Sequence, residues 1–339
     1  MIEDVYKAAA NRYDSGMEYA RAGRSGILLP RVSLGFWHNF GELAPLSRSK
    51  EIMHAAFDHG ITSFDLANNY GPRYGTAEET FGQVFRRSFA PYRDEMFIAT
   101  KAGYEMWPGP YGNWGSRKYL ITSLNQSLRR MGLDYVDVFY SHRYDPDTPE
   151  EETLQALVDI VKQGKALYAG ISRWPLEASR RAFAYLREHD VPCLLFQDRL
   201  NIIDRTVVES GVLEAASRAG CGFVSFSPLA QGILTNRYLG GIPADSRAAI
   251  NFSLKTSSIS SEVVEQLRML DNMARQRGQT LAEMALAWVL RDTRVTSVII
   301  GCSSKEQLLD CIGTVGSPEF TTAELEEIDS IGARIRPLV

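Results

Sequence analysis

Short apolar runs alternate along the chain with segments of helical periodicity. In the helical segments, apolar residues return about every 3.6 positions, as Ile121, Leu124, Leu128 and Met131 do. Eight of the apolar runs have the length and the β-branched or aromatic content of strands. They are Arg31–Phe36, Ile61–Asp65, Met96–Lys101, Val136–His142, Leu167–Ser172, Cys193–Gln197, Gly222–Ser227 and Ser297–Gly301.

The order of these segments predicts the fold class. Strands that are apolar on both faces and separated by helices are typical of a parallel sheet. Eight such units favour a closed ring over an open, doubly wound sheet, which predicts an α/β fold of the (β/α)8 TIM barrel type. No low-complexity linker divides the 339 residues, so residues 1–339 are predicted to form one domain.

Three segments fall outside the alternation of strands and helices. Residues 13–30, which contain Gly23 between short apolar stretches, predict an N-terminal β-hairpin that plugs the bottom of the barrel. Extra helices near the C-terminus are predicted at residues 261–278 and 322–333. Thr322 is the predicted N-terminal cap of the last helix.

A long loop, residues 103–115, is rich in aromatic side chains. Loops of this length inside compact domains are usually functional or disordered. The aromatic content favours the wall of a binding pocket, and an exposed recognition surface is the alternative. The side chains that we predict to form the mouth of a substrate pocket are Trp37 and, from this loop, Tyr104 and Trp107.

Composition argues against several classes of protein. The net charge is −4 and no cluster of lysine and arginine is present, so nucleic acid is not expected as a partner. No apolar stretch reaches the roughly 18 residues of a membrane span, and the N-terminus does not read as a signal peptide. The four cysteines form no CxxC pair and are interpreted as reduced thiols of a cytoplasmic protein. The five histidines form no HExxH motif, and no metal site is expected.

Four polar residues near the far ends of apolar runs indicate an active site. Asp65, Lys101 and His142 end three consecutive predicted strands, and Tyr70 follows Asp65 by five positions. In a barrel, the C-terminal ends of the strands share one mouth, where catalytic groups gather. Each residue alone has an ordinary explanation as a cap, a loop aromatic or a solvated strand end. Their joint placement is better explained by catalysis.

These four groups suit general acid catalysis. The pKa of tyrosine is ordinarily about 10, and Lys101 is expected to lower the pKa of Tyr70 by stabilising the phenolate. Asp65 would hold the ammonium, and His142 would orient and polarise a substrate carbonyl. The predicted reaction is protonation of a developing alkoxide. A barrel lyase that uses Lys101 as a Schiff-base nucleophile is an alternative.

An alkoxide implies a hydride donor and therefore a nucleotide site. The chain has no GxGxxG after a strand, no Tyr-x-x-x-Lys and no P-loop, which argues against an open dinucleotide-binding fold. A barrel binds phosphates with the loops after its seventh and eighth strands, here Ser227-Pro-Leu-Ala-Gln-Gly and Gly301-Cys-Ser-Ser-Lys-Glu-Gln. Arg237 and Arg247 would add charge. Solvated loops with surface arginines are the alternative.

With these motifs in place, the chain resembles the aldo-keto reductases over nearly its whole length. Within that family it is similar to bacterial reductases of glyceraldehyde 3-phosphate and to the β subunits of voltage-gated potassium channels. The motifs that carry the resemblance are Phe64-Asp-Leu-Ala-Asn-Asn-Tyr70, Ala99-Thr-Lys101, Val138-Phe-Tyr-Ser-His142, Gly170-Ile-Ser-Arg-Trp174, the Ser227 loop and Ile300-Gly-Cys-Ser-Ser304.

The resemblance implies NADPH as cofactor and Tyr70 as proton donor, assisted by Asp65, Lys101 and His142. It also implies cofactor contacts along the mouth of the barrel. Those at the nicotinamide half would be Trp37, Ser172, Arg173 and Gln197, and those at the pyrophosphate would be Ser227, Leu229 and Gly232. Asp65 would also contact the cofactor. Those toward the adenosine and its 2′-phosphate would be Arg237, Arg247, Gly301, Ser303, Gln307 and Asp310.

Two comparisons with the family pattern bear on function. Asp310-Cys311 stands where the family usually has Glu-Asn near the adenine, which bears on the choice between NADPH and NADH. Channel β subunits often carry asparagine at the position of His142, so His142 favours an enzyme over a redox-sensing auxiliary subunit. The resemblance further implies short aldehydes as substrates, such as methylglyoxal or a triose phosphate, and a homo-oligomer, either a tetramer or an octamer.

Overall fold

The computed structural model describes residues 5–244, 246, 248–249 and 254–339. In this part of the chain an antiparallel hairpin, β1 (Tyr19–Arg21) and β2 (Leu28–Pro30), precedes eight parallel strands that close into a barrel. The barrel strands are β3 (Val32–Gly35), β4 (Ser63–Asp65), β5 (Phe97–Ala102), β6 (Val136–Ser141), β7 (Ala166–Ser172), β8 (Cys193–Arg199), β9 (Gly222–Phe226) and β10 (Val295–Ile300). The predicted (β/α)8 barrel is therefore confirmed.

Helices connect the barrel strands and surround the ring. They are α1 (Leu46–Asp58), α2 (Thr76–Val84), α3 (Arg117–Met131), α4 (Glu150–Lys162), α5 (Leu176–Glu188), α6 (Thr206–Glu209), α7 (Val212–Ala219), α8 (Ser261–Gln276), α9 (Leu281–Leu290), α10 (Lys305–Ile312) and α11 (Thr322–Ile335). The extra helices α8 and α11 occur where the sequence predicts them. No helix in the described ranges is long and apolar enough to cross a membrane.

The cap of α11 differs from the prediction. The side chain of Thr321, not Thr322, accepts the backbone N–H of Glu324, and the Glu324 carboxylate accepts the backbone N–H of Thr321. A capping box needs Glu or Gln three residues after the cap. Thr321 has Glu324 at that spacing, whereas Thr322 is followed there by Leu325.

The hairpin closes the N-terminal end of the barrel, as predicted. Leu29 of β2 and Ala22, which directly follows β1, pack in one buried cluster with side chains from the barrel strands, among them Val138 and Leu195. At Gly23 (φ +54°), a Cβ atom would lie 2.1 Å from the carbonyl oxygen of Gly220, just before β9. The close approach of the two backbones therefore requires glycine at the tip of the hairpin.

The polarity of the barrel interior changes along its axis. The side chains nearest the hairpin are apolar, whereas the layer at the C-terminal ends of the strands contains Asp65, Lys101 and Gln197. All three are buried, and Asp65 accepts hydrogen bonds from both Lys101 and Gln197. Buried polar groups persist when their hydrogen bonds are satisfied. This polar layer is where the predicted active site lies.

Candidate active site

Asp65, Tyr70 and Lys101 form one hydrogen-bonded group at the C-terminal end of the barrel. Lys101 on β5 donates from Nζ to Oδ2 of Asp65 on β4 (2.6 Å), to the carbonyl oxygen of Leu66 (2.8 Å) and to the hydroxyl of Tyr70 (3.5 Å). The Lys101 side chain is 0% exposed. A buried ammonium is tolerated when it is paired and hydrogen-bonded, and these three acceptors supply that environment.

The pKa of Tyr70 is not lowered, contrary to the expectation from sequence. Burial raises the pKa of Tyr70 well above its ordinary value, and the negative charge of Asp65 adds to this effect. Burial also lowers the pKa of Lys101, against the opposing attraction of Asp65. Because Asp65 neutralises the ammonium at close range, burial dominates at the phenol. Tyr70 is therefore a protonated donor in this site.

His142 lies just past the end of β6, beside the same group. Its backbone N–H donates to the carbonyl of Ala102 on the neighbouring strand (2.9 Å). The imidazole meets the ring of Tyr70 edge-on, with 5.8 Å between ring centroids, and the ring of Tyr104 edge-on at 4.8 Å. Burial and the positive charges of Lys101 and nearby arginines hold the pKa of His142 well below its ordinary value. The ring is therefore neutral near pH 7, with one N–H to donate.

The predicted pocket residues occupy different surroundings. Tyr70, His142 and Tyr104 come together, as the ring contacts show. Trp107 packs instead against Tyr119 of α3, with 5.3 Å between ring centroids. Trp37 follows β3 and is 41% exposed. An exposed tryptophan beside a buried polar cluster offers an apolar surface to a ligand at the barrel mouth.

Three residues proposed for the nicotinamide half lie near the hydrogen-bonded group of Asp65, Tyr70 and Lys101. Gln197 on β8 donates from Nε2 to Oδ1 of Asp65 (2.9 Å). Ser172 at the end of β7 is buried, and its hydroxyl has no hydrogen-bond partner among the described residues. Arg173 has a left-handed backbone (φ +56°) and donates to the hydroxyl of Tyr104 (3.0 Å). An unpaired buried hydroxyl is unfavourable without a ligand, so Ser172 fits a polar group such as an amide.

The loop after β9 has an unusual backbone. Ser227, Ala230 and Gln231 adopt left-handed φ angles of +49°, +47° and +60°, and Gly232 follows at +99°. Such conformations are costly for non-glycine residues and concentrate at ligand clamps and active sites. The Ser227 carbonyl also accepts the side-chain amide of Asn201 (3.0 Å). This strained loop, with Leu229 in it, is the segment that the sequence predicts to contact a pyrophosphate.

The loop after β10 is closed by its own side chains. Gln307 accepts from both the backbone N–H (2.9 Å) and the hydroxyl (3.0 Å) of Ser303, beyond the exposed Gly301. Burial raises the pKa of Asp310, a hydrogen bond from Thr280 opposes this rise, and the negative charge of Glu283 on α9 adds to it. The neighbouring Cys311 is buried.

Of the two arginines proposed for the 2′-phosphate, the structure describes only Arg237. Arg237 lies in the short helical turn Asn236–Tyr238, after the loop that follows β9, and it is partly buried. Arg247 lies outside the described residues. Arg237 is therefore a described cation on this side of the site that would attract a negatively charged group.

Sequence reasoning missed two charged residues near the site. Glu78 on α2 is fully buried, accepts from Thr100 (2.6 Å) and pairs with Arg130 (2.7 Å), and its charge acts on Lys101. In the sequence, Glu78 looks like an ordinary glutamate in the first turn of a helix, so nothing marks it as a residue near the site. Arg143 directly follows His142, and its position at a strand end was a readable signal.

Comparison with known proteins agrees with this geometry. Residues 31–333 match the model of the Aldo/keto reductase family. The match spans the barrel strands and the loops that follow them. The chain belongs to the aldo/keto reductase family. It is therefore an oxidoreductase, and members of this family generally use NADH or NADPH.

Two kinds of relative cover almost the full chain. The L-glyceraldehyde 3-phosphate reductase of Escherichia coli (strain K12) is 51% identical over 329 residues, covering 96% of this chain and 95% of that protein. A probable voltage-gated potassium channel subunit beta of Arabidopsis thaliana is 34% identical over 322 residues, covering 93% and 96%. Both similarities agree with the resemblance read from the motifs.

The residues at the barrel mouth fit the nicotinamide cofactor of the family. The unpaired hydroxyl of Ser172 matches an amide, and the strained loop Ser227–Gly232 matches a pyrophosphate. No group of three or more His, Cys, Asp or Glu side chains that could hold a metal ion is present in the described ranges. Lys101 donates three hydrogen bonds, which leaves no lone pair for attack on a carbonyl, so its geometry does not support the lyase alternative.

Proposed function

We propose that this protein reduces short aldehydes to alcohols with NADPH. The observation that carries the proposal is the convergence of Tyr70, Lys101 and Asp65 in one hydrogen-bonded group, with His142 edge-on to the phenol. A protonated phenol backed by a buried ammonium suits the protonation of an oxygen that gains negative charge. We also propose a role for each of these four residues, a cofactor and a class of substrate.

In the proposed mechanism, the reduced nicotinamide supplies a hydride when it is bound. The neutral imidazole of His142 donates a hydrogen bond to the substrate carbonyl and fixes its orientation. As negative charge develops on that oxygen, the hydroxyl of Tyr70 transfers its proton there. Lys101 stabilises the resulting phenolate, and Asp65 keeps the ammonium in position.

For the cofactor, we propose NADPH over NADH. The support is a cation, Arg237, near the strained loop, together with the resemblance that includes Arg247 and Ser303. Asp310 opposes a phosphate in this region, but it faces Thr280 and Glu283 of the neighbouring helix. Initial rates with NADPH and NADH, measured on the same aldehyde, test this choice. A kcat/KM for NADH equal to or above that for NADPH would contradict it.

The substrate proposal is a three-carbon aldehyde, either methylglyoxal or a triose phosphate. Its support is the 51% identity to the reductase of L-glyceraldehyde 3-phosphate and the contacts of the Tyr70 and Tyr104 rings with His142. A panel of aldehydes of increasing length, assayed by oxidation of NADPH, tests it directly. Equal rates with long aromatic aldehydes would argue against a small pocket.

A second candidate function is a redox-sensing auxiliary subunit. The 34% identity to the probable potassium channel subunit beta favours it, and the presence of His142 beside Tyr70 weighs against it. The two functions differ in turnover. An enzyme consumes many equivalents of NADPH with its aldehyde, whereas a sensor would complete at most one slow turnover for each bound cofactor.

We also propose that the chain is one domain that acts in the cytoplasm as a homo-oligomer, either a tetramer or an octamer. The proposal on assembly derives from the family resemblance. Light scattering coupled to size-exclusion chromatography measures the number of subunits. A monomeric mass at micromolar concentration would refute the oligomer.

A further inference from the structure

Arg143 is a cation at the barrel mouth that forms no ion pair with the described residues. Two other partly buried arginines pair with carboxylates, Arg93 with Asp137 (2.9 Å) and Arg130 with Glu78 (2.7 Å). The bonds of Arg143 go instead to neutral acceptors, with Nε donating to the Gly103 carbonyl (2.7 Å). The negative charge of Asp145 acts on Arg143 without a direct ion pair. A partly buried cation that has no directly paired carboxylate attracts anions.

The guanidinium of Arg143 is also fixed in orientation. It lies over the ring of Trp114, with 3.5 Å from Cζ to the ring centroid, and over the ring of Tyr104 at 4.3 Å. Nη2 donates to the side-chain oxygen of Asn113 (2.9 Å), whereas Nη1 makes no hydrogen bond to the described residues. Stacking and two bonds therefore hold the group rigidly and leave donors for a ligand.

The position of Arg143 relates it to the reacting centre. It directly follows His142, and the ring of Tyr104 contacts both side chains, 4.8 Å from the imidazole and 4.3 Å from the guanidinium. The positive charge of Arg143 lowers the pKa of His142, so its field reaches the catalytic group. Arg173, also bonded to Tyr104, adds a second positive charge.

We propose that Arg143 binds the phosphate of a phosphorylated three-carbon aldehyde and so determines the preference for anionic substrates. The inference rests on the proposed reductase function. A phosphate monoester two carbons from the carbonyl would meet Nη1 of Arg143 while the carbonyl oxygen meets His142 and Tyr70. A planar guanidinium with free donors matches phosphate oxygens better than a lysine would. The aromatic faces of Trp114 and Tyr104 prevent the side chain from turning away.

The test compares glyceraldehyde 3-phosphate with unphosphorylated glyceraldehyde in the holoenzyme with NADPH. Arg143→Met is expected to lower the ratio of kcat/KM values, phosphorylated over unphosphorylated, by about 30-fold or more, as for the loss of a charge-assisted bond. Arg143→Lys should lose part of this ratio, because the charge remains and the fork geometry is lost. If both kcat/KM values fell equally and their ratio stayed unchanged, the variant would have lost only loop structure, and the proposal would be overturned.

A matched control is available in Arg291, which stacks on Trp288 at 3.9 Å and donates to its carbonyl, but lies before β10 at the opposite end of the barrel. Arg291→Met removes the same kind of stacked arginine and should leave the substrate ratio unchanged. If it lowered the ratio as much as Arg143→Met, the proposal would be overturned.

A measurement on the unmodified enzyme serves if the Arg143 variants fail to fold. Inorganic phosphate should inhibit competitively against glyceraldehyde, with sodium chloride at equal ionic strength as the control for screening. Competition against NADPH alone, or no difference from sodium chloride, would overturn the inference. A wild-type enzyme that oxidises NADPH with neither aldehyde would instead refute the proposed function.

Discussion

The ammonium group of Lys101 lies 3.5 Å from the hydroxyl oxygen of Tyr70. The same ammonium is held at 2.6 Å by Asp65, so the pair presents little net charge to a neutral phenol. The contact becomes strongly favourable once Tyr70 has released its proton, because a phenolate then faces the ammonium directly. In the proposed mechanism, Lys101 therefore stabilises the charge that develops in the transition state more than it stabilises the resting site.

Replacing Tyr70 by phenylalanine tests this arrangement. Loss of the proton donor is expected to lower kcat by about 100-fold to 10,000-fold. Cofactor affinity should change little, because the ring and its edge-on contact with His142 remain. Rates come from NADPH oxidation, and affinity comes from quenching of tryptophan fluorescence. A variant with the wild-type rate would show that Tyr70 is not the donor.

Replacing Lys101 by methionine should reduce stability as well as activity. The change leaves the carboxylate of Asp65 buried without its cation, which typically costs about 3–5 kcal/mol. Adding Asp65→Asn removes the uncompensated charge, so the double variant should be more stable than Lys101→Met alone. Urea unfolding of the wild type, Lys101→Met, Asp65→Asn and the double variant measures the effect. Additive losses in the double variant would show that the two side chains are not coupled.

His54 predicts a pH-dependent stability away from the active site. Burial, with a contribution from Lys50, lowers the pKa of His54 to about 4, against the attraction of Asp58. Its ring stacks on Tyr6 at 3.8 Å and bonds to Ser88 at 2.8 Å. Between pH 6.5 and 4, the unfolded chain binds a proton that the native protein does not, so stability falls as the pH falls.

The measurement compares urea unfolding of the wild type and His54→Gln at pH 7 and pH 5. From pH 7 to pH 5 the wild type should lose about 1–2 kcal/mol more than the variant. The remaining ionisable groups are common to both proteins and cancel in the difference. Parallel losses would mean that His54 titrates normally in the native state.

The four cysteines should be unreactive in the folded protein. All four thiols are free and buried, and burial raises the pKa of Cys302 to about 12. The thiolate is the reactive species, and a raised pKa together with burial suppresses it. Ellman's reagent should therefore label no thiol rapidly under native conditions and four after denaturation. Rapid labelling of one thiol in the native protein would identify an opening that the fold does not show.

The strands and the polar strand ends were predictable because they follow from local patterns. Apolar runs that finish on a polar residue indicate, to within one residue, where a barrel strand ends and what it presents at the mouth. Lys101 is the residue before the end of β5, and His142 directly follows β6. The parallel register then brings these residues together without further information. The hairpin followed from turn chemistry around Gly23 in the same way.

The features that sequence could not supply depend on burial and on distant partners. The pKa of Tyr70 rises because the group is buried, which a pattern of residues does not quantify. The cap of α11 was assigned one residue late, because adjacent threonines differ only in the residue three positions on. The cation stacked between Trp114 and Tyr104 required the fold of residues 103–115 to be known.

The hydrogen bond from Gln197 on β8 to Asp65 on β4 joins strands that are 132 residues apart in the chain. It crosses the interior of the ring, so the carboxylate that orients Lys101 also connects the first half of the barrel to the second. A fragment that ended before β8 would keep Lys101 and Asp65 but lose this donor. The hydrogen bonding around Asp65 therefore depends on closure of the barrel. A half-barrel lacks β8 and cannot complete the buried polar layer of Asp65, Lys101 and Gln197.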